Sequence, residues 1–429
     1  MMTVLGIVIF FVGILFSVAW HELGHYVTAR WFGIKVPEFM VGFGRTIWSR
    51  KVGETEFGLK AVPLGGYIRM IGMIPPAKGE TLGRSRRTGP FQGLIDDARQ
   101  QSAMDVRPED ADRQFYLRAP WKRIIVMAAG PVMNLILAVV LFAIVLMGIG
   151  IPTATTTVGA VSACVVPATA SSTECPPGAP PTPAAAAGFQ AGDRIVAFNG
   201  QPFSRFDGPE LQARIRATTG PVTVTVDRGG QLVDLDVTPI QTQLRSLEDS
   251  NRVVQAGFLG VSLVQAYEQQ STGAVFEQIG SIVGGTAQAI AQLPSRVPGL
   301  FGAAFLGEQR DVNGPIGIVG ASRIGGQILA SDAPPVAELS LFINVLAAVN
   351  ISLFLFNLLP IPPLDGGQIF PAIWEAIKRR IAKLRGKPDP GPVDVAKLMP
   401  VAYVVALVFI AWSGLLFIAD IINPVTLVQ

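Results

Sequence analysis

Ala19-Trp20-His21-Glu22-Leu23-Gly24-His25 lies inside the first long apolar segment of the chain, roughly Thr3 to Phe32, and it holds both histidines of the sequence. On a helix, positions i and i+4 share a face, so the two imidazoles can bind one metal ion. Glu22 lies next to that face, where its carboxylate can take a proton from a metal-bound water. Two histidines packed by chance is the weaker reading, because polar side chains inside an apolar span are costly and usually functional. A hydrolytic metal-site signature at membrane depth therefore governs how the rest of the chain is read.

Half of the 429 residues are hydrophobic, only 15% are charged and the mean hydropathy is +0.45. That exceeds a typical soluble domain. The length allows several spans and one or two soluble modules. Four segments are long and apolar enough to span: roughly Val4–Arg30, Ile124–Ile149, Leu339–Leu359 and Leu398–Ile422. Residues 4–20 lack a basic start and a small-residue cleavage site, and apolar character resumes beyond His25, so the first segment reads as a retained helix. The net charge of +3 is small and the basic residues sit beside spans, which argues against nucleic acid as a partner.

Trp121-Lys122-Arg123 precedes the second span, and Lys378-Arg379-Arg380, Lys383, Arg385 and Lys387 lie between the third and fourth. Positive-inside logic puts the 33–123 and 375–397 loops in the cytoplasm. The long 151–336 segment has no lysine and ten arginines spread along it. It is expected outside, with both termini. Cys164 and Cys175, the only cysteines, fall in it, and an oxidising compartment would let them pair. Residues 176–187 read as an extended Pro/Ala connector.

The stretch Glu56–Met70 mixes strand alternation with Gly and Pro punctuation, expected as strands and hairpins beside the membrane. Residues 76–118 are charged and Gly/Pro/Arg-rich at first, then helical in pattern, with a basic face suited to solvent or lipid headgroups. Residues 158–240 form a compact α/β pattern. Gly188–Asp193 leads into the strand Arg194–Phe198 and the turn Asn199-Gly200; a helix follows at Pro209–Ala217, then strands at Val222–Asp227 and Leu232–Thr238. Residues 241–280 read as further strands and loops. Residues 281–330 suggest amphipathic or interfacial helices broken by Pro294, Pro298 and Pro315.

A catalytic zinc usually has three protein ligands and one open position. With no third histidine, the remaining ligand must be a carboxylate or a cysteine, and both cysteines lie in the outer segment. The best candidate is Asp365, in Asn357-Leu358-Leu359-Pro360-Ile361-Pro362-Pro363-Leu364-Asp365-Gly366-Gly367. This run ends the third span at a depth like that of His21 and His25. Its prolines break the helix, and its Gly pair lets backbone approach closely. Irregular backbone at membrane depth is tolerated where it is buried or lines a watery cavity. The competing reading is a simple turn leaving the bilayer.

His21-Glu22-Leu23-Gly24-His25 together with Asn357…Pro360…Pro362…Leu364-Asp365-Gly366 resembles the site-2 protease family of intramembrane zinc metalloproteases. Ala129-Gly130-Pro131-Val132-Met133-Asn134 resembles the family's Gly-Pro-x-x-Asn signature. Gly188–Gly200 resembles the carboxylate-binding-loop region and first strands of a circularly permuted PDZ domain. Gly314-Pro315-Ile316-Gly317-Ile318 resembles a segment before the third core helix. The match spans essentially the whole chain and is closest to the bacterial sigma-E-protease-like branch, here with a single PDZ. Arg outnumbers Lys about threefold, a bias of GC-rich genomes such as actinobacterial ones.

The resemblance implies an α-helical polytopic membrane protein with about four transmembrane helices. It also implies a cytoplasmic membrane-associated β-hairpin region and an extracytoplasmic α/β PDZ domain. The expected divisions are 1–33, 34–123, 124–150, 151–240 for the PDZ and its insert, 241–336, 337–375, 376–397 and 398–429. His21, His25 and Asp365 would bind one Zn2+, Glu22 would be general base and then proton donor, and Asn357 would hold the substrate backbone or tetrahedral intermediate. Asn134 and Pro131 would pack, bend the helix or act directly. Zinc over iron or cobalt follows from the resemblance, since two histidines and a carboxylate alone do not decide it. The implied partners are the lipid bilayer of the bacterial inner membrane, single-span substrates such as anti-sigma factors, and a site-1-type protease that cuts first. A metal transporter would need polar residues along several spans, and a catalytically inactive scaffold would lack Glu22 or a ligand; neither holds here.

Overall fold

The computed structural model describes residues 2–76, 92–104, 106–165, 175, 179–247, 252–311 and 314–425. Parts of the 76–118 stretch and of the 164–178 insert fall outside them. The chain divides into two units, Met1–Val145 with Thr272–Gln429, and Leu146–Ser271.

The first unit contains α1 (Met2–Trp31), β1 (Glu38–Val52), β2 (Thr55–Arg69), α2 (Gln92–Met104) and α3 (Pro120–Ala143). The second unit contributes β3 (Ile151–Val161), α4 (Pro183–Ala186), β4 (Arg194–Phe198), β5 (Gln201–Pro202) and α5 (Gly208–Ala217). It continues with β6 (Val222–Arg228), β7 (Gln231–Val237), β8 (Ile240–Arg245), β9 (Val253–Phe258) and β10 (Val261–Glu268). The chain then returns to the first unit with α6 (Thr272–Phe301), α7 (Ile318–Ile328), α8 (Pro335–Asn357), α9 (Gly366–Leu384) and α10 (Met399–Ile422).

Four helical stretches among the described residues are long and apolar enough to cross a membrane: Met2–Trp31, Pro120–Ile149, Pro335–Asn357 and Val395–Ile422. The third ends at Asn357, and α9 starts afresh at Gly366, so the 337–375 division contains two helices and a break. Small residues let the helices meet. A Cβ on Gly6 would lie 2.7 Å from the Gly325 carbonyl of α7, and one on Gly24 would overlap the Ala129 carbonyl of α3. Asn350 of α8 donates to Ser17 Oγ of α1 (2.9 Å), a buried polar contact that sets the register of the two helices. Asp420 of α10, 1% exposed, takes Arg310 (2.7 Å) and the Gly317 and Gly320 amides (2.9 and 2.8 Å), capping the start of α7.

The hairpin expected at Glu56–Met70 is present and involves β1 as well. Glu38 to Val41 each pair twice, with Glu56–Leu59 on one side and Gly66–Arg69 on the other. Gly42, Gly44 and Gly65 hold positive φ where the strands bend. At the β1–β2 turn Glu54 binds Arg30 at the end of α1 (2.5 Å) and Arg113 (2.6 Å).

In the second unit the sheet order is β10-β3-β4-β6-β7, with β5 on β4 and a separate β8–β9 pair. Alternating residues of β6 bury Val222, Val224 and Val226, which pack with Ile195 of β4 and Leu211 of α5 in one core. The alanine run after the insert is a short helix rather than extended: Thr182 Oγ1 accepts from the Ala185 amide and Pro183 takes the first helical position. Cys164 and Cys175 are joined by a disulfide. The unit runs past residue 240 to Ser271, because β10 pairs with β3 and so returns the 241–271 segment to the same sheet. Gly188–Gly200 forms the turn into β4 and the strand itself. A groove of about 340 Å³ lies elsewhere, between Gln212, Ile215 and Arg216 of α5 and the Leu259-Gly260-Val261 turn.

Hydrogen bonds and charge from Arg113, then Arg30, hold the Glu54 carboxyl down at about 2 from its usual 4.5. A depressed acid stabilises the fold above its unfolded value and loses that contribution as pH falls through the folded one. Thermal stability should therefore drop between pH 4.5 and about 2 more steeply in the native chain than in Glu54→Gln, followed by circular dichroism in detergent.

Candidate metal centre

α1 places His21 and His25 one turn apart, both buried, with their Nε2 atoms 3.1 Å from each other. The third group comes from the break after α8. There the chain turns through Leu358–Leu364 so tightly that a Cβ on Gly367 would lie 2.5 Å from Pro362 N, and one on Gly366 would overlap the Leu359 carbonyl. Asp365 follows that turn at the N-terminal cap of α9. Its Oδ2 lies 3.1 Å from His21 Nε2 and its Oδ1 lies 3.3 Å from His25 Nε2.

These separations test the fit to a metal. Zinc bonds of about 2.0–2.2 Å in tetrahedral geometry put donor atoms about 3.3 Å apart. The two imidazole Nε2 atoms, 3.1 Å apart, and the 3.1 and 3.3 Å from them to the two oxygens of the one Asp365 carboxylate are close to that spacing, and one ligand atom from each residue lies within 4.8 Å of the others. Asp365 Oδ2 is also a buried oxygen without a hydrogen-bond donor, as a ligand oxygen would be. The donor set of two imidazoles and one carboxylate suits zinc.

α3 completes the surroundings with three positions on one face, four residues apart. The Val126 carbonyl meets His25 Nδ1 at 2.7 Å. If Nδ1 donates that proton, Nε2 keeps its lone pair. Pro131 gives no N–H to the Met127 carbonyl and loosens the helix beside this contact. Gly130 faces the imidazoles themselves: a Cβ there would lie 2.7 Å from His21 Nε2 and overlap His25 Nε2. Asn134, fully buried, sets its side-chain amide 3.1 Å from His21 Nδ1 while its Oδ1 has no partner. Turning that amide about Cβ–Cγ cures both faults: Oδ1 accepts Nδ1–H, and His21 Nε2 is free to bind metal. Trp20 Nε1 donates to the Met133 carbonyl (2.9 Å), holding α1 to this face.

Glu22 is buried beside the trio and faces β2. The Ile68 backbone N–H is directed at its carboxylate, and a Cβ on Gly66 would lie 3.1 Å from Glu22 Cγ. The Gly66–Arg69 edge thus runs past the acid. Asn357 stands apart. It closes α8, and its Nδ2 donates to the Leu353 carbonyl of its own helix (3.1 Å). The structure therefore brings together His21, His25, Asp365 and Glu22, and leaves Asn357 bonded within α8. The Val126 carbonyl was not identified from sequence, and Gly130 was quoted only as part of the Gly-Pro-x-x-Asn signature. Asn134 was marked by the same signature, with packing, helix bending and a direct role left open.

The arrangement can hold one divalent ion at membrane depth, with a carboxylate poised for proton transfer. The family profile described as Peptidase family M50 matches residues 9–399. The chain is 35% identical over 442 residues, all of both chains, to the Zinc metalloprotease Rip1 of Mycobacterium tuberculosis. It is 35% identical over 446 residues to the protein of the same name in Mycolicibacterium smegmatis, again across the whole of both. It is also similar to the Metalloprotease MmpA of Caulobacter vibrioides, at 29% identity over 394 residues, covering 88% of this chain and 89% of that one. By this match and by the motifs that carry it, the chain belongs to peptidase family M50, the site-2 protease family.

Proposed function

We propose that this chain is an intramembrane zinc endopeptidase that cuts single-span membrane proteins within or near the bilayer. The observation that carries this reading is the convergence of His21 and His25, inside the first apolar span, with Asp365 from the break after the third, beside Glu22. Zinc, when bound, supplies Lewis acidity toward the scissile carbonyl and lowers the pKa of water. His21 and His25 present Nε2, with their Nδ1 protons held by Asn134 and the Val126 carbonyl. Asp365 supplies the third donor. Glu22 takes the proton of the attacking water and returns it to the leaving amine. Asn357 holds the substrate backbone once substrate displaces its contact with Leu353.

A substrate helix has its carbonyls bonded i→i−4, so it must unwind before it can be cut. The Gly66–Arg69 edge beside Glu22 offers backbone groups to which an unwound segment can add as a strand. Basic residues at 121–123 and 378–387 support an active site near the cytoplasmic side of a bacterial inner membrane, with both termini outside. The Leu146–Ser271 unit acts as a PDZ-like size filter, excluding substrates that keep a bulky ectodomain. Anti-sigma factors already cut by a site-1-type protease are the expected substrates.

Metal analysis and cleavage of a single-span substrate in detergent test the site. Glu22→Gln should lower turnover by at least about 10²-fold with zinc content unchanged, and retained cleavage would sink its assignment. Asp365→Ala should lose both zinc and activity. Full zinc occupancy in that variant would move the third ligand elsewhere.

Asn134→Leu should weaken zinc binding by about 10–100-fold, whereas Asn134→Asp, which can still accept from Nδ1–H, should keep it. The reverse order would mean that Asn134 donates to His21. Replacing Leu146–Ser271 by a short linker should let full-length substrates be cut without the first cleavage; unchanged dependence would count against the filter.

A further inference from the structure

α9 carries an apolar stripe that the rest of the described chain leaves open. Phe370, Ile373, Trp374, Ile377, Ile381 and Leu384 recur at helical spacing on one face. All six are exposed, from 41% at Ile373 to 79% at Leu384. The opposite face is the one that packs. Pro371, Ala372 and Glu375 are buried there, and Glu375 binds Arg123 of α3 (2.5 Å) and Arg379 (3.0 Å).

Charge is distributed unevenly along this helix. From Gly366 to Ile377 it has no lysine or arginine. Beyond that point Lys378 and Arg385 border one side of the stripe and Arg380 borders the other, with Lys383 farther round the helix. The cations begin one turn after the Glu375–Arg123 contact, at the level of the Trp121-Lys122-Arg123 collar that opens α3. Lys122 Nζ lies 5.4 Å from the Phe32 ring and 5.5 Å from that of Trp121, the aromatic and basic mixture of a membrane–water boundary. The uncharged first half starts beside Asp365, at the depth of the metal centre, where only lipid or protein can lie against its stripe.

An open apolar stripe that runs without a break across this boundary, with cations on both flanks only from the boundary outward, matches a lipid surface better than an aqueous one. We propose that the C-terminal half of α9 is an interfacial helix, with its stripe at the hydrocarbon edge and Lys378, Arg380, Lys383 and Arg385 among anionic lipid headgroups. The headgroups of that leaflet then hold the helix whose cap residue is Asp365, so lipid charge is coupled to the position of that carboxylate. The lipid assignment does not depend on the metal reading.

The test uses the full chain in vesicles. Its two native cysteines are joined to each other, so a nitroxide on Leu384→Cys reports α9 alone. Accessibility to oxygen and to a water-soluble nickel chelate is measured in phosphatidylcholine alone and in phosphatidylcholine mixed with phosphatidylglycerol. The expected result is a label favouring oxygen in the anionic vesicles, less so in phosphatidylcholine, and released by salt at about 1 M, where charges are screened within about 3 Å. Arg380→Gln with Lys383→Gln, which leaves Glu375 and Arg123 untouched, should lower the lipid-bound to free ratio by about fivefold for each cation removed. Equal nickel access in both vesicle types would overturn the proposal. So would a label shielded from both reagents, which would mean that protein covers the stripe, or an oxygen preference indifferent to lipid charge and to the Gln variants.

Discussion

Inside an apolar span every polar group must find a partner within the protein, and this requirement organises the first unit. Each imidazole of α1 is held at Nδ1 by Val126 or Asn134 of α3 and turns Nε2 toward Asp365. Those contacts demand that α1 and α3 approach almost backbone to backbone, which is why Gly24 and Gly130 have no room for a side chain. Helix packing and metal-site geometry are therefore one constraint. A methyl group at residue 130 would displace the imidazoles and the helix together.

Toward the helix ends the same requirement is met by ion pairs supported by backbone donors. Glu375 takes Arg123, Arg379 and the Val393 amide, and Asp420 takes Arg310 and two amides of α7. Buried pairs of this kind add little net stability, since desolvation offsets most of the attraction. Their effect is to orient. Glu375 sets the direction of α9, and Asp420 sets where α7 begins. Glu54 does the same for the hairpin by tying its turn to Arg30 and Arg113.

The second unit follows ordinary aqueous rules. Strands β6, β7 and β8 alternate more and less buried residues, and β4, β6, β7 and α5 lie within a residue or so of where pattern and turn residues place them. The partner of β3 was not legible. β10 lies about a hundred residues further along, and nothing local in Val261–Glu268 says which distant strand it joins. Register between remote strands is chosen by side-chain packing, and here that choice moved the boundary of the unit from 240 to Ser271 and put the groove at Leu259-Gly260-Val261.

By itself the sequence determined the four apolar stretches, the shared face of His21 and His25 and the neighbouring Glu22. It also singled out a broken helix end at Asp365, because hydrophobic runs, helical period and Pro/Gly breaks are local properties. Only the tertiary structure decided that Val126, Gly130 and Asn134 form the wall behind the imidazoles, that Asn357 bonds within α8, and that the stripe of α9 is left open. Those facts depend on which helix faces meet. That is settled by the fit of side chains and the pairing of polar groups between segments far apart in the chain, which no local pattern encodes.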